Sequence, residues 1–132
     1  SNMSEYLFTY GTLRLNQSHP VATFLSENAS LVGLAVLPKA RLYRIDWYPA
    51  LIETNDEKDE VIGDLFKLND ETAWPKIDEY EGIGNGKPPY EYRRSKVKVK
   101  TEQEELESWV YFYNVELPKG AELIESGDFL NP

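Results

Sequence analysis

The chain has 132 residues, a length typical of one domain, and its 41% hydrophobic and 28% charged residues indicate a globular rather than a disordered protein. Because it has no cysteine and one histidine, disulfides, thiol nucleophiles and multi-histidine zinc sites are excluded. The net charge of −9 disfavours binding to nucleic acid and to anionic membranes.

Nothing in the pattern suggests export or membrane insertion. No run approaches about 18 apolar residues, and no signal-peptide pattern opens the sequence. We therefore expect a cytoplasmic protein. Ser1 and Asn2, which precede Met3, look like the remnant of an expression tag, and residues 3–132 are expected to form a single domain.

Short apolar and β-branched runs dominate the first half of the chain and predict strands. Five strands are expected, at residues 5–10, 30–37, 39–45, 50–53 and 61–68. Pro20 starts a helix whose apolar face holds Val21, Phe24 and Leu25 and which ends before Asn28. The acidic run between the last two strands predicts an exposed turn.

One further helix is predicted, over residues 69–81. Asn69 provides a start signal and Gly82 a stop signal. Because proline is tolerated only in the first helical turn, Pro75 indicates that the regular helix begins near residue 72.

A loop, a β-hairpin and a tail complete the pattern. The loop at 82–89 contains three glycines and two prolines. Strands at 92–100 and 108–115 form a hairpin, joined by an acidic turn at 101–107, and the tail at 118–132 has enough apolar residues to dock on the core. Because strands and helices do not alternate regularly, we predict an α+β fold with a mainly antiparallel sheet curled around one core.

An acidic residue in phase with apolar ones stands out on the second helix. Trp74, Ile77 and Glu81 fall at i, i+3 and i+7, so Glu81 follows the stripe that the other two turn inward. A partly buried carboxylate has a raised pKa and can take and return a proton near neutral pH. The alternative is that Glu81 faces water at a frayed helix end.

The turn after the first strand is the second candidate. Gly11 allows a ligand to approach the backbone, and the amide groups that follow have no strand partner, which suits an anion or oxyanion. The alternative is an ordinary turn, since many strands end at glycine.

Together these features resemble a known family. The relevant segments are residues 10–14 (YGTLR), 77–82 (IDEYEG), 92–94 (YRR), 110–113 (VYFY) and 123–130 (LIESGDFL). Their order and spacing, over nearly the whole chain, resemble the gamma-glutamylcyclotransferase-like family and, within it, the small gamma-glutamylamine cyclotransferase branch.

The resemblance implies a small mixed, mainly antiparallel β-barrel with two short helices. It further implies that the turn formed by Tyr10, Gly11, Thr12 and Leu13 holds the gamma-glutamyl group, and that Glu81 is the catalytic acid and base. The substrate's own α-amino group would attack its γ-carbonyl, giving 5-oxoproline and a free amine. This reaction suits a chain without cysteine, and we expect no metal and no organic cofactor.

Several other residues are weaker candidates. Tyr92 and Tyr113 could orient the substrate carboxylate or Glu81, or could simply be core residues. Arg94 could bind a carboxylate or lie on an exposed strand, and Asp78 is expected to cap or pair.

Two rival functions stay open at this point. The first is a noncatalytic barrel that binds a small carboxylate. The second is a barrel that binds single-stranded nucleic acid through aromatic residues and the lysines of 96–100, although these alternate with valine as on a solvated strand face and the net charge opposes the function. The leaving group and the oligomeric state are not specified by the pattern, and the loop from 83 to 91 is longer than the resemblance predicts.

Overall fold

A computed structural model describes residues 5–15, 17–82 and 88–132 of the chain. Its elements are β1 (Tyr6–Thr9), α1 (Pro20–Asn28), β2 (Ala29–Pro38), β3 (Ala40–Arg44), β4 (Pro49–Glu53), β5 (Glu60–Leu68), α2 (Trp74–Tyr80), β6 (Tyr92–Lys100), β7 (Glu105–Tyr113) and β8 (Glu122–Leu123). One turn of 3-10 helix over Glu71–Ala73 leads into α2. In the part of the chain so described, no helix is long and apolar enough to cross a membrane.

Five strands close into a barrel in the order β1-β5-β2-β6-β7. All neighbours in it are antiparallel except β1 and β7, which run parallel and complete the closure. The other three strands form a separate sheet in the order β4-β3-β8. The predicted α+β fold, a small mixed and mainly antiparallel barrel with two short helices, is confirmed.

Alternate residues of the barrel strands point to two different cores, as the period of two in a strand requires. On β1, Phe8 belongs to the core shared with β3 and β4, whereas its neighbour Leu7 belongs to the core beneath the helices. The second core includes Leu25 of α1 and Ile77 of α2, both fully buried. Full burial of each such side chain contributes about 1.5–3 kcal/mol.

The second helix begins later than its start signal suggested. The Asp70 side chain accepts a hydrogen bond from the Thr72 amide at 2.8 Å and caps the 3-10 turn. The regular helix starts only at Trp74, which places Pro75 in its first turn, where the missing N–H costs nothing.

The late hairpin has the predicted first strand, but its second strand, β7, begins three residues earlier than expected. Glu105 and Glu107 are paired in register with Lys100 and Lys98, so these acids belong to the exposed strand face and not to the turn. Opposite charges facing each other across strands favour this register. The connecting turn is correspondingly short and is closed by the Thr101 amide, which donates to Glu104 O at 2.8 Å.

The tail adds a strand that the sequence pattern did not predict. β8 pairs with β3, and the Ile124 amide donates to Leu42 O at 2.8 Å. Ile124 is buried in the first core. Of the predicted loop at 82–89, residues 83–87 lie outside the described part of the chain.

Candidate active site

Glu81 stands at the end of α2. Its amide donates to Ile77 O at 3.1 Å, and the next residue, Gly82, adopts a φ of +81° that ends the helix. Because Trp74 and Ile77 are buried, Glu81 continues their stripe and is itself only partly exposed. The chain therefore carries a carboxyl group to the edge of an apolar core.

The surroundings of Glu81 favour its neutral form. Burial raises its pKa from 4.5 to about 8, with smaller contributions from the negative charges of Glu91 and Asp78. No other described residue forms a hydrogen bond with its carboxyl group. A carboxyl group in this state can exchange a proton with an amine near pH 8.

The turn after β1 lies against the end of the same helix. Its Thr12 Oγ1 and the hydroxyl of Tyr80, the residue before Glu81, share a hydrogen bond of 2.7 Å across 68 positions of sequence. The turn is closed by the Arg14 amide, which donates to Gly11 O at 3.0 Å. Within the described residues, the amides of Gly11, Thr12 and Leu13 form no hydrogen bond.

A cavity of about 240 Å³ is lined by residues of both the turn and the helix end. Six of the predicted site residues line it, namely Tyr10, Gly11, Thr12, Leu13, Glu81 and Tyr92. Tyr113 is not among the described lining residues, and its ring packs edge-on against that of Tyr92 at 5.4 Å. The volume suits a small molecule.

Buried tyrosine hydroxyls brace the cavity wall. Tyr10 OH donates to Tyr111 O at 2.5 Å, and Tyr92 OH donates to Pro49 O at 2.7 Å. Tyr111 OH donates to Asp78 Oδ1 at 2.6 Å. Burial raises the pKa of all three phenols well above the usual value, so they remain neutral donors.

Gly11 has a packing role that the sequence did not reveal. A β-carbon at this position would lie 2.6 Å from Pro49 Cγ, closer than any real contact. The absence of a side chain lets the turn pack against Pro49, whose carbonyl in turn holds Tyr92.

Arg94 and Asp78 interact with each other rather than with the cavity. Arg94 Nη2 lies 3.5 Å from Asp78 Oδ2, and the guanidinium lies 4.0 Å from the ring centre of Trp74 and 4.8 Å from that of Trp109. Asp78 was expected either to cap a helix or to form an ion pair, and it forms an ion pair with Arg94. Neither residue is among the described lining residues.

The described lining residues that were not predicted as site residues include Trp47, Tyr48, Glu91 and Tyr111. Trp47 is 58% exposed at the rim, and Tyr48 OH donates to Glu91 Oε2 at 2.8 Å. For Trp47 and Tyr48 the available signal was the Trp-Tyr-Pro run between two strands, since exposed aromatic residues that lie together often mark a binding surface. Tyr111 lies in the segment 110–113, which is part of the resemblance.

Among the residues described, no three histidine, cysteine, aspartate or glutamate side chains are grouped so as to hold a metal ion.

Comparison with known proteins places the chain in a family of this fold. Residues 7–131 match the family described as gamma-glutamyl cyclotransferase, AIG2-like, and the chain belongs to it. A protein of Methanocaldococcus jannaschii, provisionally named a gamma-glutamylcyclotransferase, is 30% identical over 129 residues, which are 95% of each chain.

Two solved structures are similar as well. The solution structure of ytfP from Escherichia coli is 28% identical, with a TM-score of 0.68 and 96% of each chain covered. The crystal structure of an AIG2-like protein from Mus musculus has a TM-score of 0.67 at 20% identity, covering 89% of this chain and 82% of the mouse chain. The mouse protein supports the fold alone.

Proposed function

We propose that the protein cyclises a gamma-glutamyl amide to 5-oxoproline and releases an amine or amino acid, with Glu81 as the catalytic acid and base and without metal or organic cofactor. The observation that carries the proposal is the position of Glu81, whose pKa is raised to about 8, on a small cavity that is also lined by Gly11, Thr12 and Leu13, whose amides form no hydrogen bond within the described residues. Membership of the gamma-glutamyl cyclotransferase family, whose substrates are small gamma-glutamyl compounds, supports it.

The reaction moves two protons from the α-nitrogen of the substrate to the leaving nitrogen. The α-ammonium gives its first proton to Glu81, and the freed amine forms a bond to the γ-carbonyl carbon, which becomes a tetrahedral oxyanion. Glu81 delivers this proton to the leaving nitrogen as the bond from the carbon to that nitrogen breaks. The second proton passes through the Glu81 carboxylate from the ring nitrogen to the departing amine, which leaves 5-oxoproline with a single ring N–H. No water is consumed.

The raised pKa of Glu81 removes most of the free-energy cost of the first proton transfer, from the α-ammonium to the carboxylate. A glutamate near 4.3 would be about 3.5 pKa units below an α-amino group near 7.8, a gap of roughly 5 kcal/mol. With a pKa of about 8, Glu81 is matched to the ammonium, so the proton transfer is close to isoenergetic in either direction.

In the proposal, the turn formed by residues 10–13 makes the second contribution to catalysis, which is stabilisation of the oxyanion. Amide donors of Gly11, Thr12 and Leu13 would stabilise the oxyanion of the tetrahedral intermediate, a contribution of about 3–4 kcal/mol per donor in other enzymes. The neutral hydroxyls around the cavity hold the wall rigid. In the proposal, Tyr92 orients the glutamyl part of the substrate and Tyr113 acts by supporting Tyr92.

The test is detection of 5-oxoproline by mass spectrometry after incubation with gamma-glutamyl amines, gamma-glutamyl amino acids and glutathione, with and without chelator. We expect turnover of at least one class, insensitive to chelator. Glu81→Gln should reduce turnover at least about a hundredfold, because the amide cannot carry the proton.

Glu71→Gln is the matched control, since Glu71 is exposed on the neighbouring 3-10 turn and does not line the cavity. It should behave as wild type. A folded Glu81→Gln variant with full activity would disprove the assignment of Glu81, and binding of 5-oxoproline without any turnover would favour the noncatalytic alternative.

A further inference from the structure

Three charged side chains, those of Arg14, Asp64 and Asp128, meet next to the turn formed by residues 10–13. Arg14 and Asp64 are only 5% and 6% exposed. Arg14 Nε donates to Asp64 Oδ2 at 3.0 Å, and Arg14 Nη1 donates to Asp128 Oδ1 at 2.8 Å. We refer to this group as the Asp64–Arg14–Asp128 triad; none of its members is among the described residues that line the cavity.

The triad fixes the backbone directly after the turn. The amide of Arg14 closes the turn on Gly11 O, while its side chain is held by both aspartates. The next amide, that of Leu15, donates to Asp64 Oδ2 at 2.8 Å. Loss of the triad would therefore release the residue that closes the turn.

The triad also joins three distant parts of the chain. Asp64 lies on β5 opposite Thr9, the last residue of β1. Asp128 lies in the tail and is itself held by the Leu130 amide at 3.0 Å and the Asn131 side chain at 3.0 Å. Directly before Asp128, the tail is attached to β5, because the Ile62 amide donates to Gly127 O at 2.8 Å.

A buried ion triad is a poor way to gain stability, because desolvation of the charges offsets much of their attraction and well-packed apolar side chains often stabilise as well or better. Its advantage is geometric. The planar guanidinium reaches two carboxylates in fixed directions, which a lysine cannot do.

We propose that Arg14, held between Asp64 and Asp128, is a positioning residue that keeps the turn of residues 10–13 in its substrate-binding conformation. Through Asp128, the C-terminal tail then contributes to the substrate-binding site. The substrate-binding part of this inference rests on the proposed function. The positioning part concerns only the turn.

The test uses the full-length variants Asp128→Ala and Arg14→Lys, with Asp59→Ala as the matched control. Asp59 forms an ion pair with Arg41 at 2.8 Å and is not among the residues lining the cavity. Steady-state kinetics would give KM and kcat, and hydrogen exchange followed by NMR would report on the amides of Arg14 and Leu15.

We expect Asp128→Ala to raise KM about tenfold with kcat within about threefold of wild type, since the damage is to binding rather than to Glu81. Arg14→Lys should have at least the same effect despite keeping the charge. Both variants should exchange the Arg14 and Leu15 amides about tenfold faster, while Asp59→Ala changes neither quantity. A purely structural role would lower the melting temperature but leave KM unchanged.

A KM for Asp128→Ala within about twofold of wild type, or unchanged exchange at the two amides, would overturn the inference. If wild type turns over no gamma-glutamyl amide, the proposed function fails and exchange alone decides: faster exchange in both variants supports the positioning role, and unchanged exchange refutes it. Should Arg14→Lys not fold, Asp128→Ala decides, because Asp128 is nearer the surface.

Discussion

Replacement of Glu81 by glutamine should change stability in a way that depends on pH. The pKa of Glu81 is about 8 in the folded protein and close to its ordinary 4.5 in the unfolded chain. Between these values the folded state binds a proton that the unfolded state has lost, so the free energy of unfolding of the wild type falls as pH rises. Below pH 4.5 both states are protonated and the penalty is absent.

The size of the effect follows from the shift. A difference of about 3.5 pKa units at 1.36 kcal/mol each amounts to at most about 5 kcal/mol, of which about 4 kcal/mol develops between pH 5 and pH 8.5. Water entering through the cavity reduces this figure. We therefore expect Glu81→Gln to gain at least about 2 kcal/mol relative to wild type between the two pH values.

The assay is urea denaturation of wild type and Glu81→Gln at pH 5 and at pH 8.5, with Glu71→Gln as control. With a slope of about 2 kcal/mol per molar urea, the expected gain moves the midpoint by about 1 M in favour of the variant at pH 8.5 only. Comparison of variant with wild type at each pH cancels the titration of the other carboxylates.

If the difference in the free energy of unfolding between wild type and Glu81→Gln were the same at both pH values within about 0.5 kcal/mol, the raised pKa of Glu81 would be refuted. Glu81 would then be an ordinary surface carboxylate. A gain at pH 8.5 together with lost turnover would show that the catalytic defect does not arise from unfolding.

Two further predictions concern the wall of the cavity. Glu91→Gln removes the negative charge that contributes most, after burial, to the raised pKa of Glu81, so the acid limb of the kcat/KM profile should move to lower pH by about half a unit to one unit; a profile identical to wild type would contradict this. Gly11→Ala places a carbon 2.6 Å from Pro49 Cγ and should displace Pro49 and Tyr92, lowering stability by about 1–3 kcal/mol and raising KM at least about fivefold. Unaltered KM and melting temperature in that variant would show that the turn and Pro49 move apart without consequence.

Local sequence patterns determined the positions of several helices and strands and the placement of Glu81. The positions of α1 and of β6 followed from Pro20 and from the alternation of lysine with valine, because helix starts and strand periods are properties of neighbouring residues. The placement of Glu81 beyond the buried Trp74 and Ile77 was visible for the same reason, since residues three and seven apart share one helix face.

The tertiary structure alone decided the rest. No local signal connects Thr12 with Tyr80, or Arg14 with Asp128, which are 68 and 114 positions apart. Closure of the barrel by the parallel pairing of β1 with β7 brings Tyr10 to Tyr111 across 101 positions. The size of the pKa shift of Glu81 depends on such contacts, because helical spacing indicates the face on which Glu81 lies but determines neither the extent of its burial nor the position of the Glu91 charge.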